Sequence, residues 1–374
     1  MKSRIYKRRD GKFEGRLKVG RTAQGKTQFK YAYGYTLEEC KAKLAELCAR
    51  TEAAPKNPMY MTYEDVCGEW MDFIRTYAKE STAAVYAYTL RRYLLPHFGR
   101  YNPAEISEGR VNRYIAELAK QKTHFRHGRF SAVTVANIAV IFKMTLAFAH
   151  RHLSLPIPLC RLRLPSARKE SSRLPDGDWQ KLRRIILADS SKTAAVIALA
   201  ACMGMRIGEI CALRRSDIDF QNGILSVRRT VQRIYTAEPQ HRTKLLVGPP
   251  KSSKSYRLLP MPAIVSIKLR RQCRGRYGDD FIFGTEKNRP LDPRTVQYRF
   301  KKYLAAHGIA YVNFHQLRHK FAGSCVENNF DLKALSEILG HSSISTTLNY
   351  YVHPTLEFKR SQMDMMSARD ERAD

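Results

Sequence analysis

Leu339-Gly340-His341-Ser342-Ser343-Ile344-Ser345-Thr346-Thr347-Leu348-Asn349-Tyr350-Tyr351-Val352-His353 sets two adjacent tyrosines between two histidines near the end of a 374-residue chain. Apolar spacing predicts helices over 332–339 and 343–351. A tyrosine is a weak nucleophile while protonated, with a pKa near ~10, so one set for attack needs a proton acceptor and a held electrophile. Three segments upstream carry residue types suited to that task. His315-Gln316-Leu317-Arg318-His319 places its histidines and arginine three and four residues apart, on one face of a helix predicted over 315–328. Pro249-Pro250-Lys251-Ser252-Ser253-Lys254-Ser255-Tyr256-Arg257 forms a basic loop between strand-like runs at 230–235 and 256–259. Gly204-Met205-Arg206-Ile207-Gly208-Glu209-Ile210 puts an arginine where an apolar helix over 192–203 ends, between glycines that allow close approach of a ligand or backbone.

These types fit phosphodiester chemistry. The diester carries one negative charge and gains more in a five-coordinate transition state, and arginine's planar fork of donors matches paired oxygens. Arg206 and Arg318 can clamp the non-bridging oxygens, and the loss of either is expected to cost roughly 3–4 kcal/mol of transition-state stabilisation. His315 is the natural neighbour to take the tyrosine proton, and His341 to donate to a phosphoryl oxygen. The leaving 5′ oxygen needs a proton, which Lys251 can deliver; Lys254 is the alternative. Nearby arginines lower the pKa of such a lysine by like-charge repulsion. Glu209 has no evident proton-transfer task and is read as orienting Arg206.

Taken in this order, the four segments resemble the catalytic domain of the tyrosine recombinases, the integrase family of phages and conjugative transposons, over 174–354. The resemblance implies cleavage and rejoining of DNA through a 3′-phosphotyrosine, without cofactor or metal, by a homo-tetramer that exchanges strands of two duplexes through a Holliday junction. Accessory directionality or DNA-bending proteins are further implied partners. Family lysines stand first in the loop after the strand, which selects Lys251. Family nucleophiles are commonly followed by any residue and then histidine, and Tyr351-Val352-His353 has that form, which selects Tyr351 over Tyr350. The catalytic set so implied is Arg206, Lys251, His315, Arg318, His341 and Tyr351. Two other readings use the same fold: a DNA-binding regulator that has lost catalysis, and a relaxing enzyme of the type IB topoisomerase kind.

Charge supports a nucleic-acid partner. Lys and Arg number 66 against 34 Asp and Glu, a net +32, which repels itself unless a polyanion neutralises it and releases condensed counterions. The N-terminus has basic residues without an apolar run behind them, and the apolar stretch 193–205 is too short to cross a bilayer. Eight scattered cysteines, with no CxxC and no zinc-type Cys/His cluster, read as reduced thiols. The expected location is cytoplasmic, with no membrane partner. There is no phosphate-binding Walker loop and no two-metal carboxylate grouping.

Three domains are expected. Residues 1–57 read as a small β-sheet plus helix that binds arm-type DNA. Strand-like alternation at 13–19 and 27–33 is interleaved with basic residues, Gly20 and Gly25 frame a turn, and Thr36 caps a helix with Leu44 and Leu47 facing inward. Residues 53–58 read as a linker. Residues 58–160 read as an all-α core-binding domain with helices over 62–77, 81–95 (stopping at Pro96), 107–119 and 131–152, and with Arg91, Arg92, Arg110 and Arg113 outward. Residues 170–374 read as a mixed, mainly-α catalytic domain with a small antiparallel sheet and a C-terminal tail.

Overall fold

Two-residue alternation at the N-terminus builds an antiparallel meander, β1 (Ser3–Lys7), β2 (Phe13–Arg21) and β3 (Thr27–Gly34), in the order β1-β2-β3. The computed structural model describes residues 3–8, 11–21, 27–53, 61–121, 129–157, 160–166, 174–236, 242–250, 253–285, 288–340, 360 and 363–364. The chain divides into two units, Met1–Lys169 and Glu170–Asp374.

In the first unit, Leu17 and Ala32 of the meander pack on Leu44 of α1 (Leu37–Ala53). Gly34 permits this approach, because a Cβ there would lie 2.5 Å from the Cys40 backbone nitrogen. The opposite face carries Tyr6, Arg16, Tyr31 and Tyr33, with the Arg16 guanidinium 5.2 Å from the Tyr6 ring centre and 5.8 Å from that of Tyr31. Thr36 Oγ1 accepts from Glu39 N at 3.2 Å, and Glu39 accepts in return from Tyr35 N at 2.8 Å, one residue earlier than a standard capping box. Gly20 lies near the end of β2, beside a bulge, and Gly25 lies outside the described residues. The Leu47 side chain and residues 54–60, which hold most of the expected linker, lie outside the described residues.

The helical part comprises α2 (Tyr63–Tyr77), α3 (Glu80–Thr89), α4 (Leu95–Phe98), α5 (Glu108–Lys120) and α6 (Ala132–His152). Thr62 and Asp65 form the capping box of α2, and Ser107 and Ser131 cap α5 and α6. Helix α3 does not stop at Pro96, contrary to the sequence expectation. It widens into a π-helical turn over Leu90–Leu94 and continues into α4, with Leu95 N bonded to Leu90 O. A proline lacks an N–H and crowds the carbonyl four residues back, and the wider turn accommodates both faults. Phe98 and Phe142 meet at the centre of the bundle with ring centres 4.9 Å apart, and Tyr63 packs against both. Helix α6, not the stretch 193–205, is the one described helix long and apolar enough to cross a membrane. Its Val135, Ile138, Phe142 and Leu146 are buried in the bundle core, as in a core helix.

The second unit is built around α8 (Lys192–Met203), buried along Ala194–Ala201 and surrounded by α7 (Asp176–Ala188), α10 (Ala263–Gln272), α11 (Pro293–Ala306) and α12 (His315–Glu327). A short α9 (Ile207–Cys211) follows α8, and α13 (Leu332–Leu339) follows α12. Two small antiparallel sheets flank the helices. One orders β4 (Ile218–Asp219), β5 (Ile224–Val227) and β8 (Arg257–Pro260); the other is the hairpin of β6 (Thr230–Tyr235) and β7 (Thr243–Gly248). Helix α10 and strands β4 and β7 add to the elements expected from sequence.

Candidate active site

Helix α8 ends on Gly204, whose φ of +63° is the left-handed conformation glycine adopts without strain, and a Cβ there would come within 2.6 Å of Phe321. The chain then turns through buried Met205 to Arg206, the N-cap of α9. Arg206 N donates to Glu209 Oε2 at 3.0 Å, Nη1 to Glu209 Oε1 at 2.9 Å, and Nη2 to Gly340 O at 3.2 Å. Its side chain stays 35% exposed while that of Glu209 is 2% exposed. The expectation that Glu209 contacts Arg206 therefore matches the geometry.

Glu209 has a second partner that the sequence did not reveal. Arg257, the first residue of β8, donates Nη2 to Glu209 Oε2 at 2.8 Å and Nη1 to Oε1 at 3.1 Å. Its Nε reaches Ile338 O at 2.6 Å. Burial alone would push the Glu209 pKa up. The hydrogen bonds and charge of Arg257, then Arg206, outweigh burial and hold it below the ordinary carboxylate value. Arg257 stood in the quoted basic loop, but its partners lie 48 and 81 residues away, and no local pattern announces them.

Arg318 projects from α12 beneath this network. It is 2% exposed and donates Nη1 to Gly204 O at 2.6 Å and Nη2 to Leu339 O at 2.7 Å. Arg318 thus bridges two chain corners, the one after α8 and the one after α13, where Gly340 turns left-handed at φ +61°, and Arg206, on the first corner, reaches the second through Gly340 O. His315 and His319 lie one helical turn apart with ring centres 4.7 Å apart, edge to face. Burial pushes the His315 pKa down to about 4, with the charges of His319, Arg318 and Arg206 acting in the same direction. His319 is lowered by burial and by Arg318. Both rings line a cavity of about 320 Å³, together with Met205, Ile207, Gln297 and Asn313.

Of the six residues singled out from sequence, the structure brings together Arg206, His315 and Arg318. Lys251, His341 and Tyr351, with the rival Tyr350, lie outside the described residues. Lys254 sits in the 3-10 turn Ser253–Ser255 and is exposed. Among the described residues, no group of three or more His, Cys, Asp or Glu is placed to hold a metal ion.

A buried carboxylate between two arginines, a third arginine beneath and a histidine beside them form a site with a surplus of positive charge and a group that can accept a proton. Residues 177–357 match the Phage integrase family. The chain is 25% identical to a "tyrosine recombinase XerC-like" protein of Caldanaerobacter subterraneus subsp. tengcongensis, over 93% of this chain and 94% of that one. It is 31% identical to the tyrosine recombinase XerA of Pyrococcus furiosus, over 51% of this chain and 60% of that one. Among solved structures, the Tn1549 transposon integrase in complex with a circular intermediate DNA superposes with a TM-score of 0.66 at 20% identity, covering 82% of this chain and 99% of that one. A lambda integrase tetramer bound to a Holliday junction gives 0.55 at 17% identity, covering 92% and 94%. At such identities these two likenesses are likenesses of fold. Residues 177–357 thus form a domain of the phage integrase family, and the relatives matched by the chain are tyrosine recombinases.

Proposed function

We propose that this recombinase integrates and excises a mobile element, with Tyr351 attacking the scissile phosphate. The tyrosine oxygen forms a bond to phosphorus, the bond to the 5′ oxygen breaks, and a 3′-phosphotyrosine remains until a 5′-hydroxyl of the partner strand reverses the step. One ester replaces another, so no ATP is consumed. Arg206 holds a non-bridging oxygen, for which its partly exposed fork is suited, and Arg318 adds positive charge from beneath. His315, neutral near pH 7, takes or shares the tyrosine proton. His341 donates to the phosphoryl oxygen, and Lys251 protonates the departing 5′ oxygen.

Residues 1–57 bind arm-type DNA through the basic and aromatic face of the meander, residues 58–160 bind the core site, and residues 170–374 carry the chemistry. A homo-tetramer on two duplexes passes through a Holliday junction, with accessory directionality or DNA-bending proteins as further partners. The chain acts where DNA is, in the cytoplasm. The observation that carries this reading is the network joining Arg206, Glu209 and Gly340, since it ties a phosphate-binding arginine to the residue directly before His341. Incubation with a nicked suicide duplex tests it: a covalent protein–DNA adduct is expected. Tight, specific DNA binding without any adduct would instead indicate a regulator, and relaxation of supercoils by the monomer without strand exchange a topoisomerase.

A further inference from the structure

The Glu209 carboxylate is buried, its side chain 2% exposed, and it is bound by two arginines rather than one. A carboxylate paired with a single arginine forms a neutral unit and draws that arginine's donors onto itself. Two arginines to one carboxylate leave one surplus positive charge. The two are placed unequally: the side chain of Arg257 is 6% exposed, that of Arg206 35%. Arg257 engages both carboxylate oxygens, at 2.8 and 3.1 Å, and spends its remaining reach on the Ile338 and Ser255 carbonyls. Arg206 contributes only Nη1 of its guanidinium to Glu209. The surplus charge therefore sits on the arginine that faces solvent.

We propose that Arg257 is a positioning residue that neutralises Glu209 and thereby leaves the charge of Arg206 to the scissile phosphate. This rests on the reading of Arg206 as a phosphate-binding residue. Without Arg257, Glu209 has one cation left. Arg206 then becomes its sole counter-ion, and the phosphate meets a neutral pair. Arg257 also fixes the chain ahead of His341. It bonds Ile338 O, and Gly340 packs so closely that a Cβ there would lie 3.2 Å from Arg257 Nη1.

The test is single-turnover cleavage of a suicide duplex at saturating DNA by the full chain and by Arg257→Gln, Glu209→Gln/Arg257→Gln and Arg206→Ala. Arg257→Gln is expected to slow cleavage roughly 100-fold, as loss of an oxyanion-stabilising group does, at unchanged DNA affinity. The double variant, which frees Arg206 by removing both charges, is expected to cleave at least tenfold faster than Arg257→Gln. A merely structural role predicts a double variant as slow as the single one or slower, and that result overturns the proposal. The double variant leaves no unpaired buried charge, so it informs even where the single variant does not fold: cleavage more than about 100-fold below wild type in a folded double variant also overturns it. A substrate with a neutral methylphosphonate at the scissile position has less need of the Arg206 charge, so Arg206→Ala and Arg257→Gln should both close most of their gap to wild type on it. If Arg206→Ala gains nothing, the phosphate-binding reading has failed; if it gains and Arg257→Gln does not, the role of Arg257 alone has failed.

Discussion

Replacing Arg318 by alanine should damage the fold of the second unit as well as its chemistry, unlike replacing Arg206. Arg318 is 2% exposed, with its two terminal nitrogens on Gly204 O at 2.6 Å and Leu339 O at 2.7 Å. Hydrogen bonds to a charged group contribute about 1.5–3 kcal/mol each, so the two together contribute roughly 3–6 kcal/mol. Removing the guanidinium also removes the cost of keeping a cation out of water, which moves the net loss to about 3–5 kcal/mol. Arg206→Ala leaves Glu209 with both Arg257 contacts, and its partly exposed side chain gives up little packing, so about 1 kcal/mol is expected. The chain holds two tryptophans, Trp70 in the bundle and Trp179 in the second unit. In a Trp70→Phe background, urea unfolding followed by Trp179 fluorescence reports on the second unit alone. With a slope of about 2 kcal/mol per molar urea, Arg318→Ala should lower the midpoint by roughly 1.5–2.5 M and Arg206→Ala by about 0.5 M. A midpoint for Arg318→Ala within about 0.5 M of its parent would refute the claim that this side chain holds the two corners together.

His315 should titrate near pH 4 in the free protein, measured by NMR, whereas a midpoint near the ordinary histidine value would contradict its placement. Because the folded value is depressed, the unfolded chain binds the proton first; stability is fully present above about pH 6.5 and falls as pH drops towards 4, and His315→Gln should flatten that loss in urea unfolding. Lys251→Ala should slow cleavage while sparing DNA affinity, and a 5′-bridging phosphorothiolate, whose leaving group needs no proton, should restore much of the rate; rescue of Lys254→Ala instead would move the assignment. A chain beginning at residue 58 should still cleave core-site DNA but lose binding to outlying arm sequences. Equal arm binding with and without residues 1–57 would contradict the role given to the meander.

What the sequence made legible follows from how local each signal is. Helix α8 was readable end to end, because an apolar run closing on Gly204 needs no distant partner to define it. The same holds for β6 and α13, which match the expected bounds. Strand β7 was missed because all its residues but exposed Lys244 are half-buried, so Thr243–Gly248 lacks the alternation of a one-sided strand. Helix α10 was missed because Pro260 and Pro262 stand before it and basic residues crowd its end; yet Pro262 precedes its first turn, where no intrahelical N–H bond is owed. Pro96 misled in the opposite direction, since a widened turn let the helix pass it. In the site, the histidine spacing on α12 and the corner at Arg206 were local and legible. The clamp of Arg318 on carbonyls 114 and 21 residues away, and the pairing of Arg257 with Glu209, arise only on folding.

Tyr351 as the nucleophile is the central claim; in the helix expected from sequence over 343–351, adjacent residues would point about 100° apart, so Tyr350 and Tyr351 would not both face one phosphate. Peptide mapping of the covalent adduct trapped on a nicked suicide duplex tests this most directly. A nucleotide remnant on Tyr351 is predicted, with the adduct abolished by Tyr351→Phe and retained by Tyr350→Phe. A remnant on Tyr350 would contradict the assignment, and a remnant on no tyrosine would contradict the phosphotyrosine chemistry itself.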